Sequence, residues 1–304
     1  MTAFEVRPKL CVVVSRWSRG SRAPLLALAL ALPLAACSGR ARAKSHVALG
    51  EALERKGKID EAVEAFRRAI DESPDFSVPH RHLGVIMRER GDPRGALESL
   101  TRAVSFDPSD AIALAHRGSV LIQLGDPAHA YEDCQGAAKL DPNNQTAQIC
   151  LCTAGPFANE PKVAREGCER AIQINPQSVP YAVFAAAGKL AEDAEDKNGA
   201  IVAYQDLLKV APEMLDVYPR LARLHIAKGE LDDAIALLTR CLGRDPKYGP
   251  AHLVLAEIHA GTKHKTLASY HLKSATDAGM VVDLELRATI EALAATPDSG
   301  EPTK

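Results

Sequence analysis

Six prolines follow a fixed period along this chain, and that period constrains the fold more than any other feature. The first four are 34 residues apart, and two more continue the series after a two-residue slip: Pro74, Pro108, Pro142, Pro176, Pro212 and Pro246. A period of this length is typical of an array built by repeating one small unit. The 304 residues therefore predict about seven copies of one helical unit rather than two ordinary domains.

Small side chains recur at fixed positions of this unit. The units begin at Ala43, Ser77, Ala111, Gln145, Tyr181, Leu215 and Gly249. Position 20 is alanine in all seven: Ala62, Ala96, Ala130, Ala164, Ala200, Ala234 and Ala268. Position 15 is Gly57, Gly91, Gly125 and Gly229 in four units, where a glycine ends a first helix. The pattern predicts two antiparallel helices per unit that approach most closely at the small side chains.

This pattern resembles the tetratricopeptide repeat. The resemblance implies an all-α, right-handed superhelical solenoid of about seven repeats over residues 43–282. Residues 283–295 read as an amphipathic helix that would cover the last apolar face, as solenoid ends require. Residues 296–304 form a polar tail. In this family, the first helices of successive repeats line a concave groove.

The first 36 residues have the organisation of a signal peptide. Basic residues precede the twelve-residue apolar run Leu25–Ala36, which is too short to span a bilayer, and Cys37 follows directly. This resembles a bacterial lipobox, which implies a diacylglycerol and an N-linked acyl chain such as palmitate on Cys37. The alternative is an ordinary cleavage site with a chance cysteine.

The lipobox sets the expected location. Residues 37–42 would be a short lipid-anchored tether to the array. By resemblance to bacterial lipoproteins, Ser38 favours the outer membrane, with the array facing the periplasm. We therefore expect the protein in the bacterial cell envelope, held at the membrane by the lipid.

Composition and motifs exclude several functions. The leader carries a net charge of +4 and the whole chain -2, so residues 37–304 carry -6, which provides no electrostatic footprint for nucleic acid. No phosphate-binding loop, nucleophile elbow or zinc-protease motif occurs. We expect no enzyme activity, no cofactor, no metal and no small-molecule substrate. His225, His252 and His259 fall at helix-packing positions, with a metal or acid–base role as the alternative.

The fourth repeat departs from the pattern. Gly155 and Pro156 fall where its first helix should continue, so we expect that helix to end near Ala154. Four cysteines cluster there, and because Cys150 and Cys152 point to opposite flanks of one helix, we expect the pairs Cys134–Cys150 and Cys152–Cys168. Four buried thiols or a metal site are the alternatives, and Cys241 is expected to be a buried free thiol.

The family resemblance also places the groove residues. It implies a charged end containing Arg81 and Arg88, an apolar middle, and a further stretch with Lys189, Arg223 and Ile226. The apolar middle comprises Ile112, Ala115, Ile122, Ile149, Pro156 and Phe157. An exposed apolar stripe with a charged rim is typical of a partner site. The alternative is that the array's own packing covers the stripe, or that repeat four is locally disordered.

These observations predict a membrane-anchored periplasmic scaffold that binds other envelope proteins in its groove. Two narrower functions are compatible with the sequence. One is a pilotin-like factor for outer-membrane secretin and type IV pilus assembly, and the other is a regulator that docks on cell-wall enzymes.

Overall fold

The computed structural model describes residues 24–296, with side chains from Gly39 onward. Within that range the chain is all-α and contains no strand. The helices of the repeats are α1 (Pro24–Arg55) and α2 (Ile59–Glu72), α3 (Ser77–Glu89) and α4 (Pro93–Phe106), α5 (Ala111–Gln123) and α6 (Pro127–Leu140), α7 (Gln145–Ala154) and α8 (Pro161–Ile174), α9 (Tyr181–Asp193) and α10 (Lys197–Val210), α11 (Val217–Ile226) and α12 (Leu231–Leu242), α13 (Gly249–Gly261) and α14 (Lys265–Asp277). A last helix, α15, spans Leu284–Ala295. The predicted fold class, an all-α repeat array with about seven repeats, is confirmed.

The chain divides into two compact units, one ending at Phe76 and the other beginning at Ser77. The first unit contains the α1–α2 pair. Gly50 allows α1 to approach α2, since a Cβ there would lie 2.5 Å from Cε1 of Phe66. Close approach of these two helices therefore requires glycine at this position.

The second unit contains the six remaining pairs and α15. The same contact recurs here: a Cβ on Gly84 would lie 2.5 Å from Cγ of Leu100. The alanines at position 20 are fully buried in all seven repeats of the chain. The close contact predicted from the small side chains is therefore present in each pair.

A left-handed backbone at position 15 ends the first helix of every repeat. Four repeats use the predicted glycines, with φ between 71° and 83°. The other three place an L-residue there: Asn159 (φ 58°), Glu195 (φ 59°) and Lys263 (φ 62°). Because a Cβ is disfavoured in this conformation, these three turns are strained relative to the glycine turns.

The second helices of repeats two and three begin as the Asp-Pro pairs indicate. Asp92 accepts a hydrogen bond from the backbone N–H of Gly95 at 3.0 Å, and Pro93 follows as the first helical residue. Asp126 accepts from the backbone N–H of His129 at 3.3 Å, ahead of Pro127. These side chains satisfy backbone donors that an isolated helix start leaves without partners.

The period changes around repeats four to six. Helix α7 ends at Ala154, where the sequence predicts it to end, and a turn follows before α8. The interval from Pro176 to Pro212, which is two residues longer than the others, begins with a short 3-10 turn at Pro176–Ser178. The first helix of repeat six begins at Val217, two residues later than the unit start at Leu215.

Helix α15 lies against the last repeat. Its Ile290 is 1% exposed and packs with the buried Ala256 and Ala268. Asp283 caps the helix by accepting from the backbone N–H of Glu285 at 3.1 Å. The helix therefore covers part of an apolar surface that no further repeat occupies.

The N-terminal predictions lie partly outside the described residues. Residues 1–23 of the predicted signal peptide and residues 297–304 of the tail are outside them. Residues 24–36 and the predicted tether at 37–42 belong to α1, which continues without interruption into repeat one. Among the described residues, no helix combines the length and apolar content that a bilayer span requires.

The strained turns yield a test of the repeat geometry. We expect Lys263→Gly to raise the free energy of unfolding by up to about 1 kcal/mol, since relief of left-handed strain outweighs the entropy that glycine adds to the unfolded chain. Lys263→Ala is the matched control and should give no gain, because it keeps a Cβ in the same conformation. Gly229→Ala should cost about 1 kcal/mol. Urea unfolding followed by circular dichroism measures all three, and an equal gain from Lys263→Ala would contradict the interpretation.

Candidate functional site

Two cysteine pairs join three consecutive helices in the middle of the second unit. Cys134 on α6 pairs with Cys150 on α7, and their Cα atoms are 6.0 Å apart. Cys152 on α7 pairs with Cys168 on α8 at a Cα distance of 4.7 Å. The structure thus brings together the two pairs that the sequence predicts. They link α7 to both neighbouring helices.

Cys241 is the fifth cysteine among the described side chains, and it has no sulfur partner. It is buried in α12, as the sequence predicts. Burial, with a contribution from Asp245, raises the pKa of its thiol to about 11. The thiol is therefore neutral at physiological pH, and nothing marks it as a reactive group.

A cavity of about 300 Å³ lies between α7 and α9, beside the Cys152–Cys168 pair. Ala182, Ala186 and Leu190 of α9 form its apolar side. Pro156 borders it from the turn after α7, and Lys189 and Asp193 contribute one charge of each sign. Two predicted groove residues, Pro156 and Lys189, thus lie at one cavity with a small apolar floor.

The predicted apolar stripe is only partly exposed. Phe157 is 71% exposed and Ile112 is 45% exposed, so both are available to a partner. Ile122 packs partly buried against the cluster around Cys134 and Cys150, and Ile149 packs against the core that contains Cys152.

Ala115 does not belong to this surface, because it is fully buried. The prediction that Ala115 is part of an exposed stripe was wrong, because this residue packs into the core cluster that contains Ala96 and Leu100. The exposed apolar surface is therefore interrupted, with Phe157 as its most exposed member.

The charged end of the groove is internally connected. Arg81 donates to both oxygens of Asp110 at 3.2 and 3.3 Å, which ties α3 to the start of α5. Arg88 lies near His116, whose pKa is lowered to about 4 by burial and by the charges of Arg88 and Arg81. His116 is therefore neutral at pH 7, and the positive charge at this end comes from the two arginines.

The far end of the predicted groove contains a second cavity. It has a volume of about 490 Å³ and lies between α11 and α13, lined by Arg223, Ile226, Glu257 and Ile258 among others. Arg223 donates to Glu257 at 2.9 Å across the two helices. The structure thus places Arg223 and Ile226 together, with the arginine engaged in an ion pair.

Glu192 of α9 contacts side chains of both α10 and α11. The hydroxyl of Tyr204 donates to its carboxylate at 3.2 Å, and Arg220 lies 3.8 Å away. Burial, together with the nearby Glu192 carboxylate, raises the pKa of Tyr204 to about 12. The tyrosine hydroxyl is therefore a permanent hydrogen-bond donor at neutral pH.

The three histidines assigned to packing are all buried. His225, at the end of α11, shares a hydrogen bond with Glu230 at 2.7 Å. One ligand atom from each of His225, Glu230 and Asp233 falls within 4.8 Å of the others, so these residues could hold a cation. His252 and His259 pack against His271, with ring centroids 5.2 and 5.6 Å apart.

Sequence reasoning missed the alanines that form the cavity floor. Ala182 is the second residue of repeat five, and it lines the cavity. An alanine beside a truncated neighbouring helix was the available signal. The small side chains of Ala182 and Ala186 leave this cavity open.

Comparison with known proteins identifies the repeats. Models of the tetratricopeptide repeat family match residues 43–76, 84–145, 191–240 and 220–279. BBSome complex member bbs-4 of Caenorhabditis elegans is 32% identical over 71 residues, which is 23% of this chain and 15% of that protein. This chain therefore matches only a small part of the relative.

Two solved structures share the fold. PilF of Pseudomonas aeruginosa has a TM-score of 0.55 at 18% identity, over 72% of this chain and 99% of that one. YrrB, described as a tetratricopeptide repeat protein with an unusual peptide-binding site, has a TM-score of 0.53 at 19% identity, over 62% and 96%. At these identities the likeness concerns the fold alone.

The repeats, the helical pairs and the family matches define the class of protein. The chain belongs to the tetratricopeptide repeat family. Its fold is that of a scaffold for protein–protein interaction, and the partners that this fold supports are other proteins.

The cysteine pairs yield a test of the site. We expect alkylation of the unreduced, denatured protein to modify Cys241 but none of the four clustered cysteines, because each of those is held in a disulfide. The Cys150→Ser variant should release Cys134 alone, and Cys152→Ser should release Cys168 alone, as read by peptide mass spectrometry. Each closed loop joins cysteines 16 residues apart, so losing one bond should cost about 3 kcal/mol.

The two serine variants control for each other. The opposite assignment, in which Cys150→Ser releases Cys168, would contradict the pairing. Alkylation of all four clustered cysteines in the wild-type protein would contradict disulfide formation altogether.

Proposed function

We propose that this protein is a membrane-anchored scaffold of the bacterial envelope. In this proposal it binds a partner protein on the surface formed by Phe157 and the cavity between α7 and α9. The observation that carries the proposal is that Phe157, which is 71% exposed, directly follows Pro156, and Pro156 borders the apolar cavity. Exposed aromatic side chains next to apolar pockets are typical of partner surfaces.

The cavity limits what the partner can present. About 300 Å³ between α7 and α9 accommodates one or two apolar side chains but not a folded domain. Lys189 and Asp193 at its border can orient polar groups of the same segment. A helix or extended segment with an apolar anchor residue fits this surface.

The cysteine pairs support an exported location. Two disulfides in a short stretch persist in oxidising compartments such as the periplasm and are rare in the reducing cytosol. The lipobox at Cys37 adds a membrane anchor to this proposal. A diacylglycerol with a further acyl chain holds a protein far more firmly than one chain does.

The residues after the proposed anchor pack directly on repeat one. Arg40 contacts Asp75 at 3.1 Å, and Arg42 contacts Glu72 at 2.7 Å. A Cβ on Gly39 would lie 2.7 Å from the backbone oxygen of Glu72, so α1 and the end of α2 are in close contact there. The lipid would therefore be joined to repeat one by a packed helix rather than by a long flexible linker.

The proposed surface is tested by changes that remove its two components. We expect Phe157→Ser combined with Ala182→Arg to abolish capture of the partner, because the first removes the aromatic contact and the second fills the cavity. Both positions are exposed, so the free energy of unfolding should change by no more than about 0.5 kcal/mol. The measurement is quantitative affinity capture from envelope membranes, with circular dichroism to verify the fold.

Val202→Ser is the matched control for this experiment. Like Phe157, Val202 is an exposed apolar side chain. It lies on α10, is 58% exposed and does not line the cavity. Proteins that wild type and Val202→Ser capture but the double variant loses are partners of the surface. If the double variant retains every one of them, the proposed surface is wrong. Ile122 is unsuitable for such a test, because it packs against the disulfide cluster.

The anchor is tested separately at Cys37. We expect Cys37→Ser to prevent lipidation and move the protein from the membrane fraction to the soluble fraction, while Ser38→Asp should keep it on a membrane. Labelling with a radioactive fatty acid measures the modification directly. A Cys37→Ser protein that remains in the membrane fraction would contradict the anchor.

A narrower function concerns the outer-membrane secretin of a type IV pilus. The lipobox followed directly by a repeat array is the observation that favours it. If this function is correct, the Cys37→Ser strain also loses secretin multimers from the outer membrane. If the Cys37→Ser strain has normal secretin multimers in its outer membrane, the secretin role is excluded, while the general scaffold function is unaffected.

A further inference from the structure

Four of the ten histidines of the chain lie within the last repeat, on helices α13 and α14 and in the turn between them. Their rings form a connected group: His252 lies 5.2 Å from His271, His259 lies 5.6 Å from His271, and His264 lies 5.8 Å from His259, between centroids. Other repeats also place histidine at the positions of His252 and His259, as His46, His80 and His225 show, but no other repeat has a histidine at the position of His271.

Hydrogen bonding fixes the proton positions on His252. Its Nε2 lies 2.9 Å from the backbone oxygen of Pro246, which can only accept, so Nε2 carries the proton. In the neutral ring, Nδ1 of His252 therefore has a free lone pair. Nδ1 of His271 lies 2.9 Å from this atom.

The distance between the two Nδ1 atoms is that of an N–H···N hydrogen bond, and it is also compatible with a metal chelate. Two nitrogens that bind one ion at right angles, each about 2.0–2.1 Å from it, lie about 2.9 Å apart. The bond from His252 Nε2 to Pro246 is also the arrangement that orients a metal-binding imidazole, whose other nitrogen donates to a carbonyl. His252 is thus held in the tautomer that a ligand requires.

The surroundings allow an ion to enter and to gain further ligands. His252 is buried, but His271 is partly exposed, so the pair opens to solvent on the side of α14. Tyr270 lies edge-on to both rings, at 6.2 and 5.0 Å between centroids. The buried Nδ1 of His259 has no hydrogen-bond partner among the described residues.

We propose that His252 and His271 form a two-histidine chelate for a divalent transition-metal ion such as Ni²⁺, Cu²⁺ or Zn²⁺, bound through the two Nδ1 atoms, with water in the remaining positions. Without the ion, the Nδ1–H of His271 donates to Nδ1 of His252. When the ion binds, that proton moves to Nε2 of His271 through solvent, and both Nδ1 lone pairs bind the metal. The ring stays neutral, so no net proton is released.

The group of His225, Glu230 and Asp233 is the weaker metal candidate. Nδ1 of His225 is already hydrogen-bonded to Glu230 at 2.7 Å, and the ammonium of Lys228 lies 2.8 Å from the other oxygen of Glu230. A cation would have to displace both contacts and would meet the positive charge of Lys228. The histidine pair on α13 and α14 presents no such charge in its ring contacts.

Calorimetric titration of the full chain, prepared without a polyhistidine tag, tests the site with Ni²⁺ and Zn²⁺. We expect saturable binding of one ion per chain, and His271→Ala should weaken it roughly tenfold or more, as loss of a metal ligand or of its supporting group does. His264→Ala is the matched control: it removes a histidine of the same repeat that takes no part in the chelate. Its affinity should equal that of the wild type.

A second measurement keeps the proposal testable if the His271→Ala protein folds poorly. Electron paramagnetic resonance of the wild-type protein with one equivalent of Cu²⁺ should show coupling to two imidazole nitrogens. The proposal is overturned if His271→Ala binds like the wild type, if the spectrum shows no such nitrogens, or if Glu230→Gln alone removes binding. The absence of saturable binding of all three ions would also overturn it.

Discussion

The contact between the two helices of each repeat is the constraint on which the rest of the structure depends. The alanine at position 20 is fully buried in all seven repeats, and in four repeats a glycine of the first helix lies directly against a side chain of the second: Phe66, Leu100, Cys134 or Tyr204. Helices can approach this closely only where no side chain intervenes. Phe66 and Leu100, which are fully buried, fill the space beside the glycine of their own repeat.

Repeat four shows what happens when this regularity is broken. Pro156 cannot continue a helix, so α7 ends at Ala154, and the turn that follows leaves Phe157 exposed. The missing helical turn uncovers Ala182 and Ala186 on α9, which become the floor of a cavity. The two cysteine pairs fasten the shortened helix to α6 and α8, and so replace part of the packing that the proline removed. The irregularity and the proposed binding surface have the same cause.

Much of the fold could be predicted because the information is local and repeated. The prolines, the position-15 glycines and the Asp-Pro starts each act within a few residues, and they recur often enough to define the helices. The cysteine pairing could be predicted for a similar reason, since residues two apart on one helix face opposite flanks. Exposure along the groove could not be predicted as well, because Ala115, Ile122 and Ile149 are covered by neighbours that the sequence positions alone do not specify.

The amino-acid sequence by itself determined the period, the helical pairs and the site of the break. Only the tertiary structure decided which groove residues are open, that Arg81 and Arg223 are engaged in ion pairs, and that His252 meets His271 with both Nδ1 atoms 2.9 Å apart. The physical reason is that helix formation and turn geometry depend on near neighbours in the chain. Burial, cavities and side-chain pairs depend instead on how two helices pack. His252 and His271 are 19 residues apart in the sequence, so they meet only because α13 packs against α14.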